Sequence, residues 1–272
     1  SSDLHHITKR FGDIIANEDV SMNVYEGEIL ALLGENGSGK TTLLRVLSGI
    51  LPYSGSIKMT CNEEAGETLK DISKLSQGTL AKYIAVTPQF SSSYFSYTVY
   101  DTILMGRYAH RGNSLMDILG SASIYDREFV DRIITEMKLE ELRSKRINAL
   151  SGGQLQRVML ARTFAQETPF LLLDEPTNHL DFRFQNDLMD YLKIWSSKET
   201  IVNGKPYKNT VIAVFHDIAF TSIISDSLLL IKNGELIKKG PTQDILRRDL
   251  INDLYDTDVY SYYTLQSHIK WQ

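Results

Sequence analysis

Ile29-Leu30-Ala31-Leu32-Leu33-Gly34-Glu35-Asn36-Gly37-Ser38-Gly39-Lys40-Thr41-Thr42 decides how this chain is read. Five apolar residues in succession read as a strand buried on both faces. Residues 34–41 then fit G-x-x-x-x-G-K-[ST], a loop that cradles nucleotide phosphates. Residues 40–49 read as a helix, with Leu43, Leu44 and Leu47 on one face and Gly49 as its stop. Strand, loop and helix in that order are the setting the pattern requires. The physical reason is charge. Gly34, Gly37 and Gly39 let backbone N–H groups turn toward crowded phosphates with no side chain in the way. The helix adds its positive end. Lys40 supplies a full charge to the β- and γ-phosphates, and Thr41 offers a hydroxyl to Mg²⁺. Asn36, Ser38 and Thr42 complete this candidate ATP cradle.

Working outward, a second apolar run, Phe170-Leu171-Leu172-Leu173, ends in Asp174-Glu175. A buried strand that delivers acids at its carboxyl end is where α/β sheets place ligand chemistry. Asp174 would hold Mg²⁺, usually through water. Residues 211–215 read as another such strand, followed by His216. Residues 227–231 and 235–238, joined by Asn233-Gly234, read as a hairpin. The segment 20–24 alternates apolar and polar residues and suggests an antiparallel strand with one solvated face. Residues 82–87 read as a strand ending at Pro88-Gln89.

Leu150-Ser151-Gly152-Gly153-Gln154 precedes a helical pattern through Arg162. It places a hydroxyl and backbone N–H groups at a helix N-terminus, an arrangement that receives anions. With this segment the chain resembles the ATP-binding-cassette (ABC) ATPases, over nearly its whole length from Phe11 to about residue 260. The resemblance implies a P-loop, RecA-like α/β fold with a mainly parallel core sheet, an N-terminal antiparallel β subdomain and an inserted α-helical subdomain. One domain is then expected over 1–272, with 1–97 and 169–272 forming the core and β region and 98–168 the helical part. It also implies roles. Glu175 is the general base or water-positioning group, and His216 contacts the γ-phosphate. Gln89 meets the metal and the attacking water, and Phe11 stacks on adenine. Asn178-His179-Leu180-Asp181 is the D-loop. Ser151, Gly152, Gly153 and Gln154 meet the γ-phosphate held by a second copy, so a homodimer is implied.

A finer resemblance lies in Pro88-Gln89-Phe90, Phe95, Thr98-Val99, Asp101-Thr102-Ile103, Met105-Gly106-Arg107-Tyr108-Ala109-His110 and Leu254-Tyr255-Asp256-Thr257-Asp258-Val259. These resemble the metal-chelate importer ATPases, which serve ferric siderophores, haem, cobalamin or molybdate. Ala109 departs from the proline common before the histidine of that run. The resemblance implies a membrane permease dimer as partner and, indirectly, a substrate-binding protein. An exporter subunit and a soluble regulatory ATPase are the alternatives.

Bulk properties agree. At 272 residues, 42% hydrophobic and 23% charged, the chain can bury a sizeable core. A net charge of -5 disfavours a dedicated nucleic-acid binder. The single cysteine, Cys61, cannot form an internal disulfide, which fits a reducing compartment. No apolar run nears the ~18–20 residues that span a bilayer. Residues 1–10 are polar and do not read as a leader. The expected location is peripheral, at the cytoplasmic face of the membrane. Residues 61–80 read as an irregular loop with a short helix, 126–139 as a helix, and 196–209 as a long surface loop. The segment from 242 onward reads as helical, then aromatic and irregular.

Overall fold

The computed structural model describes residues 2–63, 66–87, 97–110, 122–259 and 261. The chain opens with β1 (Ser2–Phe11) and β2 (Ile14–Val24), then β3 (Ile29–Leu33) and helix α1 (Lys40–Leu47). After β4 (Ser54–Glu63) and β5 (Gly66–Asp71) come α2 (Gln77–Leu80) and β6 (Ile84–Val86). Helices α3 (Val99–Leu104), α4 (Ile124–Glu136) and α5 (Gly152–Ala165) lead to β7 (Phe170–Asp174) and α6 (Phe182–Ser196). The chain continues through β8 (Glu199–Val202), β9 (Lys205–Lys208), β10 (Thr210–Val214) and α7 (Ile218–Ile224). It then forms β11 (Ser227–Lys232), β12 (Glu235–Pro241), α8 (Thr242–Ile245) and α9 (Arg248–Tyr255).

Among the described residues the central sheet has the order β12-β11-β3-β10-β7-β6, parallel except for the β11–β12 pair. The continuous apolar runs follow from its burial on both faces. In β3, Ile29, Ala31 and Leu33 pack into one core cluster while Leu30 and Leu32 pack into the other. The same alternation holds for Leu171 against Leu172 in β7 and for Val211 against Ile212 in β10. The runs 29–33, 170–173 and 211–214 are therefore apolar throughout, because each face meets its own core. A second sheet, β2-β1-β4-β5, is antiparallel throughout. The fold is mixed α/β with a mainly parallel sheet.

The polar segment 1–10 forms strand β1, in which Leu4 and Ile7 face inward. Two sequence expectations are corrected. Residues 61–80 are not simply a loop and short helix: β4 and β5 form an antiparallel hairpin there before α2. The expected surface loop 196–209 ends α6 and then forms the β8–β9 hairpin, which buries Thr200, Val202 and Tyr207. Tyr207 stands edge-on to Tyr83, with ring centroids 5.6 Å apart. β8 and β9 bury only alternate residues, so their apolar content falls below what a continuous run would show.

Helix starts follow polar caps. Ser151 caps α5, Asp181 caps α6 and Asp217 caps α7, each side chain accepting a backbone N–H of the first turn. Ser123 and Asp126 form a reciprocal capping box at α4. The Gly106-Arg107-Tyr108 run is architectural. Arg107 is buried and donates to Asp126 Oδ1 (2.8 Å), Ala165 O (2.9 Å) and Glu167 Oε2 (2.8 Å), with its guanidinium over the Phe129 ring. A side chain at Gly106 would collide with Arg162 O.

Candidate nucleotide site

The carboxyl ends of β3, β7 and β10 lie side by side, so residues distant in sequence converge there. β3 runs into the phosphate loop, β7 into Asp174-Glu175 and β10 toward His216. Lys40 is buried, and its Nζ donates to Gly34 O (2.8 Å), Glu35 O (2.6 Å) and Ser38 Oγ (3.4 Å). The ammonium thus curls into its own loop and holds it closed. Burial pulls the Lys40 pKa below its usual value, against the opposing pull of Glu175, Asp174 and Glu35. At the loop tip, Gly37 has open space around it.

Thr41 Oγ1 donates to Asp174 Oδ1 at 3.1 Å. Burial raises the Asp174 pKa; the Thr41 hydrogen bond opposes this and the neighbouring Glu175 charge reinforces it. A raised carboxylate beside a hydroxyl is a site that gains from a cation. The oxygen donors suit a hard divalent ion that keeps waters and phosphate oxygens in its remaining positions. Among the described residues, no cluster of three or more His, Cys, Asp or Glu side chains could hold a metal alone.

Glu175 sits at φ 50° immediately after the strand, and its N–H donates to Val214 O at 3.1 Å. Oε1 lies 2.6 Å from His216 Nε2, and Oε2 accepts from Asn178 Nδ2. Lys40, Thr41, Asp174, Glu175 and His216 therefore form one neighbourhood.

The other expected site residues lie elsewhere or have other partners. Ser151 Oγ accepts from Gln154 N (3.3 Å), and Ser151 N donates to Gln154 Oε1 (3.1 Å), so both side chains close their own helix cap. Among the described residues, no hydrogen bond joins 151–154 to the phosphate loop. Gly152 and Gly153 instead abut His179: a Cβ on Gly153 would stand 2.6 Å from His179 O. The Asp181 carboxylate caps α6 by accepting from Phe184 N at 2.8 Å. Phe11 ends β1 with its ring 47% exposed and Lys9 Nζ 4.7 Å from its centroid. Asn36 is exposed at the loop tip, Ser38 is buried, and Thr42 follows on α1. Gln89, with Pro88, Phe90 and Phe95, lies outside the described residues.

The sequence reading missed two connecting residues. Thr87 Oγ1 accepts from Asp174 N (2.9 Å) and donates to Leu172 O (3.1 Å), bracketing the end of β7. Gln156 on α5 reaches Glu175 O and Pro176 O, both at 3.4 Å, and ties the signature helix to the acidic turn. Thr87 lies in no recognisable motif, and Gln156, although it stands in the Gln-Arg pair just after the signature, shows this contact only in the fold.

Comparison with known proteins agrees with this architecture. The family model for the ABC transporter matches residues 17–178. The petrobactin import ATP-binding protein YclP of Bacillus subtilis is 29% identical, over 94% of this chain and 93% of that protein. The hemin import ATP-binding protein HmuV of Burkholderia thailandensis is 31% identical, over 92% and 90%. Among solved structures, a metal-chelate type ABC transporter in an inward-facing conformation superposes with a TM-score of 0.73. It is 26% identical and covers 94% of this chain and 89% of its own. With its phosphate loop, acid-ended β7 and capped signature helix, the chain belongs to the ABC transporter family and is one of its ATP-binding, ATP-hydrolysing members.

Proposed function

We propose that this chain is the ATPase subunit of an importer for a metal chelate, with a ferric siderophore as the leading cargo and haem, cobalamin and molybdate as the other members of the class. Two copies act against a separate membrane permease dimer, which receives cargo from a substrate-binding protein. The chain sits peripherally at the cytoplasmic face. Among the described residues no helix is long and apolar enough to cross a membrane, so translocation falls to the partner. The importer class is supported by likeness to proteins of petrobactin and hemin import and to a metal-chelate type transporter.

The observation that carries the catalytic reading is the convergence of Lys40, Thr41, Asp174, Glu175 and His216. When ATP enters, Lys40 Nζ exchanges loop carbonyls for β- and γ-phosphate oxygens. Backbone N–H groups of the loop, with Asn36, Ser38 and Thr42 around them, hold the phosphates, and the Phe11 ring stacks on adenine. Thr41 and Asp174, with Gln89, would hold Mg²⁺, which would supply charge neutralisation at the phosphate oxygens. Glu175 Oε1 orients the attacking water and takes its proton, and His216 turns from Glu175 to the γ-phosphate. Ser151, Gly152, Gly153 and Gln154 of the second copy close over that phosphate, with Asp181 at the same interface. Loss of the γ-phosphate then releases the closed pair.

The test is affinity purification from native membranes, followed by ATPase assay of the complex in vesicles with ferric siderophore. Co-purification of a many-helix permease with cargo-stimulated turnover is expected. An exporter-type permease would overturn the importer assignment and leave the ATPase site standing.

A further inference from the structure

Behind the phosphate loop lies a junction that the proposed mechanism does not use. Asn17 on β2 is fully buried, and its Nδ2 donates to Gly39 O at 3.2 Å. Gly39 O also accepts the first bond of α1, from Leu43 N at 2.9 Å, so Asn17 occupies its second lone pair. One residue earlier, Gly234 N in the β11–β12 turn donates to Ser38 O at 3.0 Å, and Gly234 O accepts from Glu18 N at 2.9 Å. The fit leaves no slack. A Cβ on Gly39 would stand 2.1 Å from Ala16 O and 2.7 Å from Asn17 Nδ2.

The consequence follows from peptide planarity. In a trans peptide the C=O and the following N–H point in opposite directions. Holding Ser38 O and Gly39 O from behind therefore aims the N–H groups of Gly39 and Lys40 forward, into the space the loop encloses. We propose that Asn17 is a positioning residue for ATP binding, fixing the Gly39–Lys40 peptide so that its N–H meets phosphate, with the Gly234 turn doing the same for the Ser38–Gly39 peptide. Its other amide atom gives independent support. Asn17 Oδ1 is buried with no hydrogen-bond partner among the described residues. A buried unsatisfied oxygen costs stability, so a polar amide at this core position is not explained by stability alone.

The inference rests on the phosphate-loop reading, and its test separates the two. Asn17→Leu keeps the volume and removes both the donor and the orphaned oxygen. ATP and ADP affinities are measured by titration calorimetry on the full chain, and melting temperature on the same samples. The expected result is affinity weakened roughly three- to tenfold for both nucleotides, with a melting temperature unchanged or raised. Wild-type affinity in a folded variant would overturn the proposal, as would a loss that merely tracks a lowered melting temperature. If Asn17→Leu does not fold, Asn17→Ala is judged by the same criteria. Lys40→Ala serves as reference: if it binds nucleotide as wild type does, the phosphate-loop reading itself falls.

Discussion

His216 Nε2 and Glu175 Oε1 lie 2.6 Å apart, each partly exposed, at the ends of neighbouring parallel strands. The contact joins the strand that presents the acid to the strand that presents the imidazole. Asn178 holds the other carboxylate oxygen, so Glu175 is fixed at both ends. Its proposed work as proton acceptor depends on that orientation and on its charge. Glu175→Gln keeps the shape and removes the basicity. We expect ATP binding to persist, turnover to fall by at least about 100-fold, and the ATP-bound dimer to accumulate on size-exclusion chromatography. Wild-type turnover in this variant would remove Glu175 from its assigned role.

Lys40 makes the opposite prediction. Its ammonium is buried and bonded to the loop it serves, so truncation removes both the charge offered to phosphate and a brace of the empty loop. Charge-assisted hydrogen bonds of this kind contribute about 1.5–3 kcal/mol each. Lys40→Ala should therefore weaken ATP binding by roughly 10- to 100-fold in a titration. An unchanged dissociation constant would contradict the phosphate-cradle reading.

Legibility in the sequence tracked burial geometry. β3, β7, β10 and most of β11 could be read because both faces of the central sheet are covered, leaving no solvent-facing position to dilute the pattern. β8 and β9 bury alternate residues, and their polar halves read as loop; the polar residues of β5 read as loop for the same want of a continuous apolar run. Asn203-Gly204 repeats the Asn-Gly dipeptide that marks the β11–β12 turn, with positive φ at both residues in each turn. It was obscured because its flanks carry Lys205, Pro206 and Lys208 rather than an apolar alternation. In the site, local motifs were legible as sequence, whereas Thr87 and Asn17 act across the fold and have no local signature.

Arg107 tests whether the Gly-Arg-Tyr run serves folding. Burial pushes the Asp126 carboxyl up, but hydrogen bonds from Arg107 and Ser123 outweigh it and hold the group below its usual range. A lowered folded-state pKa gives stability that is complete above the ordinary carboxylate range and is lost as pH falls through the lowered value. Arg107→Met removes the partner and leaves Asp126 and Glu167 without their cation. The expected cost is about 3–5 kcal/mol at neutral pH by urea unfolding. With Arg107 gone, burial makes the ionised Asp126 unfavourable, so the deficit against wild type should shrink as pH falls toward 4. A deficit independent of pH would mean that lost packing, not charge, dominates.

Gly153 tests the signature turn. An added methyl would meet His179 O at 2.6 Å, pushing the start of α5 away from the turn that precedes Asp181. In the proposed arrangement, nucleotide held by the phosphate loop of the same chain does not reach this surface, whereas the γ-phosphate of a second copy does. Gly153→Ala should therefore leave ATP affinity of the isolated chain within about twofold, while turnover drops by roughly 10- to 100-fold, as misplacement of about 1 Å can produce. The split distinguishes an intermolecular role from a local one. Equal losses in affinity and turnover would place the signature's effect within a single chain, and unchanged turnover would take Gly153 out of the catalytic cycle.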